Sequence, residues 1–240
     1  MNLALSIIIP TKNEEVYLIR LLRSIQSQTM QPAEIIVADA QSTDKTREIA
    51  KLYDCKVVQG GNHPGIGRNN GAKHATSSLL LFLDADVILP DDDFLHSTTQ
   101  EFEERGLGVA CCLATVTSHN IVDQLGVRMS NTYFAWTENT IKNGVGYCTF
   151  ILKDIHNYIG GYNEDIILGE DKDYVVRASK IGKFKFLRSK KIVVSLRRHI
   201  KEGRVKLMLK YFYFYAHLLL RRKITKGKIA YSFDHSYDER

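Results

Sequence analysis

The first 84 residues alternate between short apolar runs and longer segments with helical periodicity. Four apolar runs, rich in Ile, Val and Leu, predict buried β-strands. These runs are LSIIIPT (5–11), AEIIVADA (33–40), CKVVQ (55–59) and LLLFLD (79–84). The intervening segments EEVYLIRLLRSIQSQT (14–29), STDKTREIAKLY (42–53) and GIGRNNGAKHATSS (65–78) favour helices. Strands that alternate with helices across short loops predict a parallel sheet with helices on both faces.

The pattern is looser after residue 108. GVACCLATVTS (108–118) and GYCTFILK (146–153) are typical of strands, and a helix is expected around residues 124–141. EDKDYVVRASKIG (170–182) favours a helix that ends at Gly182, because glycine commonly follows the last helical residue. A basic stretch follows this helix.

Two carboxylates stand one residue apart at the end of the fourth predicted strand. Residues i and i+2 of a strand point to the same side, which places Asp84 and Asp86 together. Without a basic neighbour such carboxylates repel, unless one is protonated or a cation lies between them. Hard oxygen ligands favour Mg²⁺ or Mn²⁺. The alternative is that Asp84 caps a turn and Asp86 is solvated.

Strand ends also suggest where a ligand binds. Asp39 and Asp84 each end a predicted parallel strand, and open α/β sheets bind ligands at the carboxyl ends of their strands. The GIGRNNG segment imitates a dinucleotide-binding fingerprint, but Asn70 stands where the third glycine is required. The first predicted strand also lacks glycine, so a Rossmann oxidoreductase is disfavoured.

Composition is that of an ordinary soluble protein. The chain has 240 residues, of which 44% are hydrophobic and 25% charged. The segment MNLALSIIIPTKNEE lacks a basic n-region, so no signal peptide is expected, and no apolar run reaches the roughly 20 residues of a membrane span. The four cysteines form no metal-type or disulfide-like pattern. Reduced thiols, mostly in the core of a cytosolic protein, are expected.

Positive charge is concentrated near the end of the chain. Residues 180–229 hold 17 Lys or Arg and one acid, Glu202, although the net charge of the whole chain is only +6. Within this segment, 205–223 combines a basic stripe with a wide apolar face, which is typical of a helix lying in a membrane interface. The alternative is a helix packed on its own domain or in a homodimer. Nucleic acid is disfavoured, because the Leu and aromatic run favours burial.

Four motifs in order make the chain similar to the inverting family-two glycosyltransferases. They are IIIPTKNEE, IIVADAQSTDKT, GRNNGAKHATSSLLLFLDAD and GGYNEDIILGEDKDYVVR. The resemblance spans residues 4–200 and implies the GT-A fold, an α/β, Rossmann-like mixed sheet flanked by helices. The expected domains are a GT-A domain (1–200), a basic amphipathic helix that associates with membrane or packs on protein (201–228), and a polar tail (229–240).

The resemblance implies a role for individual residues. Those implied to bind the nucleotide sugar are Pro10, Thr11, Glu14, Asp39, Arg68 and Asp84. Asp86 is implied to hold the metal together with Asp84, and His199 lies where some GT-A enzymes place a third ligand; a surface histidine in a basic loop is the other interpretation. The acceptor site is implied to contain Gly160, Gly161, Tyr162 and Glu170.

The implied reaction is transfer of a sugar from a nucleoside-diphosphate sugar to an acceptor hydroxyl. Asp171 is implied to be the catalytic base, since a hydroxyl attacks poorly until a base takes its proton. Asp171 begins a predicted helix, whose dipole favours the ionised carboxylate. Mg²⁺ or Mn²⁺ is implied to neutralise charge on the leaving diphosphate.

The acceptor and location follow from further features. The Gln-x-x-Arg-Trp motif of processive synthases is absent, so a non-processive enzyme acting on a saccharide or lipid-linked acceptor is expected. The expected location is the cytoplasmic face of the membrane, on an anionic surface. Two alternatives stay open: a polyprenyl-phosphate glycosyl synthase, whose nucleophile is a phosphate, and a nucleotide-sugar-binding membrane scaffold without catalysis.

Overall fold

The computed structural model describes residues 3–197 and 224–225 of the chain. The described strands, in chain order, are β1 (Leu5–Thr11), β2 (Glu34–Asp39), β3 (Lys56–Gln59), β4 (Leu79–Leu83), β5 (Val109–Thr115), β6 (Cys148–Leu152), β7 (Ile166–Leu168), β8 (Phe184–Val193) and β9 (Ile224–Thr225). The described helices are α1 (Glu15–Gln26), α2 (Thr46–Leu52), α3 (Pro64–His74), α4 (Phe94–Glu104), α5 (Ile121–Thr137), α6 (Lys153–Tyr158) and α7 (Glu170–Ala178).

Seven of these strands form one mixed sheet in the order β3-β2-β1-β4-β6-β5-β8. Strands β1 to β4 are parallel, whereas β6 runs antiparallel to both β4 and β5. The α/β class, the parallel first half and the mixed sheet are therefore confirmed. The parallel half brings the carboxyl ends of β1, β2 and β4 to one edge.

Both faces of the sheet are buried, which explains the near-continuous apolar runs. On β1, Ile7 and Ile9 pack into one hydrophobic cluster with α1, while Ile8 packs into the other cluster beneath α3. Gly71 lets α3 lie close to β1, because a Cβ at this position would stand 2.4 Å from Cγ2 of Ile8. All four cysteines are buried and free of disulfides, as expected.

Strand β8 was not predicted from the sequence, because it lies within the basic stretch. Its residues Phe184 and Phe186 point into the core while Lys185 between them is half-buried. The strand pairs in parallel with β5. Its last residue, Val193, exchanges backbone hydrogen bonds of 3.0 and 3.1 Å with Ile88. This exchange joins the end of β8 to the segment that follows β4.

The segment predicted to form a helix at residues 201–228 lies almost entirely outside the described residues. Its two described residues, Ile224 and Thr225, form β9, which pairs antiparallel with β7; the helix stays a prediction for the rest of the segment. The polar tail at 229–240 also lies outside the described residues. Of the helices that the structure describes, none is both long and apolar enough to cross a membrane.

Candidate functional site

The ends of β1 and β2 form one wall of a polar edge. Thr11 and Asp39 are register partners in the parallel pair, and both are buried. The Asp39 carboxylate accepts the backbone N–H of Ser42 at 2.8 and 3.2 Å. Oγ1 of Thr11 is buried and has no hydrogen-bond partner in the described part of the chain. Pro10 precedes Thr11 on the same buried strand end.

Glu14 lies beside this wall, immediately before α1. Its backbone N–H donates to Oγ1 of Thr46 at 2.8 Å. Its carboxylate accepts two hydrogen bonds from the guanidinium of Arg197, at 2.6 and 2.7 Å. The side chain is only 4% exposed. Burial raises the pKa of Glu14 to about 7, although the contact with Arg197 opposes this shift.

Arg197 also reaches the second carboxylate of the Asp-x-Asp pair. Its Nε lies 2.9 Å from Oδ2 of Asp86, and its guanidinium carbon lies 4.6 Å from the ring centre of Tyr17. In the SLRRHIK stretch, His199 was predicted as a third metal ligand, and it lies outside the described residues. Arg197 was not predicted as a site residue. The only available signal was an arginine two positions from a candidate ligand.

Arg68 joins the end of β4 to the start of α7. This arginine of α3 is 2% exposed. Nη2 donates to Oδ1 of Asp84 at 2.7 Å and to the carbonyl oxygen of Gly146 at 3.2 Å. Nη1 donates to Oδ1 of Asp171 at 3.0 Å and to Oε1 of Glu170 at 3.3 Å. One guanidinium therefore holds the end of β4 against the start of α7.

Aromatic rings pack against the Arg68 cluster, the group formed by Arg68, Asp84, Glu170 and Asp171. The guanidinium carbon lies 5.2 Å from the ring centre of Tyr162, and Tyr162 stacks on Tyr174 with 3.8 Å between ring centres. Tyr162 is buried. Its backbone N–H donates to Oδ1 of Asn69 at 2.7 Å, the residue next to Arg68. Tyr162 thus packs against the guanidinium and is itself held in place by Tyr174 and Asn69.

Two glycines place Tyr162 in this position. Gly160 and Gly161 have φ angles of +72° and +71°, a left-handed backbone that favours glycine. A Cβ at Gly161 would lie 2.5 Å from Oδ1 of Asn69. The Gly-Gly-aromatic motif therefore shapes the cluster from its buried side.

Burial raises the pKa of both carboxyl groups at the start of α7. Burial and the neighbouring Glu170 carboxyl raise the pKa of Asp171 to about 8, against the opposing effect of Arg68. Burial also raises the pKa of Glu170. Desolvation thus disfavours the charged form, whereas the dipole of α7 is expected to favour it.

The two carboxylates of the Asp-x-Asp pair each have a basic neighbour, contrary to the sequence-based premise. Asp84 binds Arg68 and Asp86 lies against Arg197. Among the described residues there is no group of three or more His, Cys, Asp or Glu side chains that could hold a metal by themselves. What the structure assembles at this edge is a set of hard oxygen ligands that already attract cationic groups.

The model of the family described as "Glycosyl transferase family 2" matches residues 6–160 of the chain. A 4,4'-diaponeurosporenoate glycosyltransferase from Staphylococcus haemolyticus is 38% identical over 116 residues, which cover 43% of this chain and 30% of the relative. The O-antigen chain rhamnosyltransferase WbaN from Salmonella anatum is 26% identical over 176 residues, or 66% of this chain and 55% of WbaN. The matched segments thus span about a third to a half of these relatives.

Solved structures share the fold. The mannosyltransferase PcManGT from Pyrobaculum calidifontis, solved with GDP-Man and Mn²⁺, matches with a TM-score of 0.71 at 18% identity, over 94% of this chain and 66% of PcManGT. Residues 1–349 of TarS from S. aureus match with a TM-score of 0.66 at 22% identity, over 83% of this chain and 62% of that structure. These likenesses confirm the GT-A fold. With its family model matched over more than half its length, the chain belongs to glycosyl transferase family 2.

Proposed function

We propose that this chain transfers a sugar from a nucleoside-diphosphate sugar to a hydroxyl group of an acceptor, with inversion at the sugar carbon and with a divalent metal ion. The observation that carries the proposal is the Arg68 cluster. In this cluster the buried guanidinium of Arg68 binds two carboxylates from different elements. One is Asp84, at the edge where parallel strands end, and the other is Asp171, at the start of α7. A donor-side carboxylate and a candidate base are thereby held at a fixed separation.

The donor side is built from the ends of β1 and β2. Asp39 would accept hydrogen bonds from ring N–H groups of a base, and the buried Oγ1 of Thr11 lacks a partner in the described chain. Pro10 and Glu14 complete this wall. We propose that Arg68 positions Asp84 and Asp171 and does not bind the phosphates, because both of its terminal nitrogens are taken by protein oxygens.

The acceptor side contains the proton acceptor. Oδ2 of Asp171 would take the proton of the acceptor hydroxyl as its oxygen attacks the anomeric carbon. The bond from that carbon to the diphosphate oxygen breaks on the opposite face, and the nucleoside diphosphate leaves with the electron pair. Glu170, beside Asp171 on α7, would contact the acceptor. A single displacement of this kind inverts the anomeric centre.

The residues present fit a divalent metal ion. Asp86, with Asp84, would hold it, and Mg²⁺ or Mn²⁺ typically takes one or two carboxylates together with substrate phosphates. When bound, the ion supplies neutralisation of the charge that grows on the leaving diphosphate. A guanidinium lies 2.9 Å from Asp86, which supports a preference for a cation at this position. Mn²⁺ in the PcManGT structure supports the same assignment.

The acceptor is proposed to be a saccharide or a lipid-linked molecule. The relatives above are named for 4,4'-diaponeurosporenoate and for the O-antigen chain. A second candidate is transfer to a lipid phosphate. Below its pKa of about 8, Asp171 is largely protonated, and a phosphate nucleophile is already ionised and needs no base. The non-catalytic scaffold is distinguished by acceptor-dependent release of nucleoside diphosphate, which a scaffold cannot produce.

Replacing Asp86 with Ala should abolish turnover and Mn²⁺-dependent donor binding. The fold should persist, because Arg197 keeps its two hydrogen bonds to Glu14. Calorimetric titration of UDP- and GDP-sugars with and without Mn²⁺ measures the effect, and circular dichroism verifies folding. Asp92→Ala, at an exposed position six residues further on, is the matched control and should bind like the wild type. Undiminished Mn²⁺-dependent binding by Asp86→Ala would rule out the metal assignment.

Replacing Arg197 with Met should strengthen binding of Mn²⁺ alone, without nucleotide, by about tenfold. The guanidinium and the metal ion compete for the Asp86 carboxylate, and Coulomb attraction between charges about 4 Å apart is worth several kcal/mol before solvent screening at this partly exposed position. Electron paramagnetic resonance of free Mn²⁺ gives the dissociation constant. Arg23→Met, on the exposed side of α1, serves as the control. Unchanged or weaker Mn²⁺ binding in Arg197→Met would show that no competition occurs.

A further inference from the structure

The outer face of α5 is apolar and exposed. The inner face packs on the sheet, where Phe134 stacks on Phe186 with 5.5 Å between ring centres and Asn131 donates to the carbonyl oxygen of Ala114 at 2.7 Å. Of the eight large hydrophobic residues that are exposed in the described chain, five lie on this one helix. They are Ile121 (78% exposed), Val122 (66%), Leu125 (55%), Met129 (65%) and Trp136 (83%). Contiguous exposed apolar surface of this kind marks an interaction site.

The charges on α5 favour an anionic, apolar partner. Its one acid, Asp123, is buried and accepts a hydrogen bond from Oγ of Ser118 at 2.8 Å. The exposed surface of the helix therefore carries no carboxylate, and its one charged residue is Arg128. By contrast, the exposed surface of α2 includes Glu48. An apolar face with tryptophan, basic charge and no exposed acid is typical of helices that lie in a membrane interface.

The composition of the chain favours the same partner. The segment 198–223, which lies outside the described residues, is strongly basic. Each Lys or Arg near an anionic leaflet contributes about 1 kcal/mol.

The face is too small for a stable protein partner. A standard interface engages about 20–30 residues on each side, whereas this face offers five side chains on a single helix. A bilayer interface sets no such threshold, because each apolar side chain that enters it contributes separately.

We propose that the outer face of α5 is a membrane-docking surface that inserts into the headgroup region of an anionic bilayer. Ile121, Val122, Leu125, Met129 and Trp136 supply the buried apolar area. Arg128 and the basic residues of the segment 198–223 supply attraction to anionic lipid. This docking is independent of the proposed catalytic roles.

The sequence provides its own reporter, since Trp136 is the single tryptophan of the chain. Full-length protein is titrated with vesicles of phosphatidylglycerol and phosphatidylcholine, and separately with phosphatidylcholine alone. We expect a blue shift of Trp136 emission and quenching by brominated acyl chains with the anionic vesicles. High salt should weaken this binding without abolishing it, because salt screens charge but not apolar burial.

Substitutions on the face test whether α5 is the inserted element. Met129→Glu should lower the vesicle partition coefficient by about tenfold or more, since it removes apolar burial and adds a repelled charge. Ile181→Glu is the matched control, because Ile181 is 50% exposed but lies beyond α7; it should bind like the wild type. Both positions are exposed, and thermal melts verify that both variants fold.

Three results would overturn the proposal. The first is no emission shift with anionic vesicles, or wild-type partitioning by Met129→Glu. The second is a blue shift that depends on protein concentration without lipid, which would assign the face to a second copy of the chain. The third is a red shift without lipid on truncation after Gly203, which would show that the chain's own C-terminal segment covers α5.

Discussion

Replacement of Asp171 by Asn is expected to lower kcat by about 10² to 10⁴, the usual contribution of a general base. Donor affinity should stay near the wild-type value. Oδ1 of Asn can still accept the hydrogen bond that Nη1 of Arg68 donates to Asp171 at 3.0 Å, so the Arg68 cluster keeps its geometry. What is lost is an oxygen able to take a proton. Acceptor-dependent release of nucleoside diphosphate measures kcat, and calorimetry measures donor binding.

The pH dependence separates the base from a structural role. Burial and Glu170 raise the pKa of Asp171 to about 8, and a base acts only when deprotonated. Wild-type kcat should therefore fall as pH drops below about 8, and the Asp171→Asn variant should lack this dependence.

Asp173→Asn is the matched control for this variant. Asp173 lies on the same helix, where it accepts a hydrogen bond from Nε of Arg177 at 2.7 Å, and its substitution should leave kcat within a few-fold of wild type. An unaffected rate in Asp171→Asn would favour the lipid-phosphate alternative. Lost donor binding with turnover spared would place Asp171 in the donor pocket instead.

The sequence predicted the half of the site that follows from local pattern. The apolar runs of β1, β2 and β4 are short and bounded by polar residues, so their ends could be located to within a residue or two. Parallel pairing then places those ends at one edge. The structure confirms this arrangement: Thr11 is the register partner of Asp39, and β4 pairs on the other side of β1.

The sequence could not predict which arginines neutralise the carboxylates. Arg68 meets Asp171 across 103 residues and Arg197 meets Glu14 across 183, and no local pattern encodes such pairs. The Arg197 pair also depends on β8, which precedes Arg197, pairs with β5 and is joined to Ile88. That strand was missed although its Lys-Phe-Lys-Phe alternation has the period of two that marks a half-buried strand. Its Lys and Arg residues indicated an exposed basic segment instead.

Burial could not be predicted from the sequence either, and burial is the largest cause of the raised pKa of Asp171. A position at the start of α7 predicts an ionised carboxylate through the helix dipole. Glu170 is the preceding residue, but Arg68 and Gly146 are brought against Asp171 only when the fold is complete, and no side chain fits at Gly146. A Cβ on Gly146 would stand 2.5 Å from Oδ2 of Asp171. The environment that raises the pKa therefore belongs to tertiary structure.

Replacement of Arg68 by Met is expected to lower the free energy of unfolding by about 3–5 kcal/mol, the usual cost of removing one partner from a buried ion pair. Met fills much of the same space, so the loss is electrostatic. Asp84, Glu170 and Asp171 would each lose the charged donor that lies 2.7–3.3 Å from their oxygens. Urea unfolding followed by circular dichroism gives the free energy.

Arg188→Met is the control, because this arginine is 41% exposed and its partner Glu138 also accepts from Phe186 and Lys185. It should cost less than about 1 kcal/mol. The deficit of Arg68→Met should be largest above pH 8 and should shrink as pH falls through about 8, the pKa of Asp171, since protonation of Asp171 removes repulsion that the guanidinium had neutralised. Equal losses in the two variants above pH 8 would contradict this account. They would mean that the three carboxyl groups do not need the cation, and that Arg68 is free to serve a bound donor.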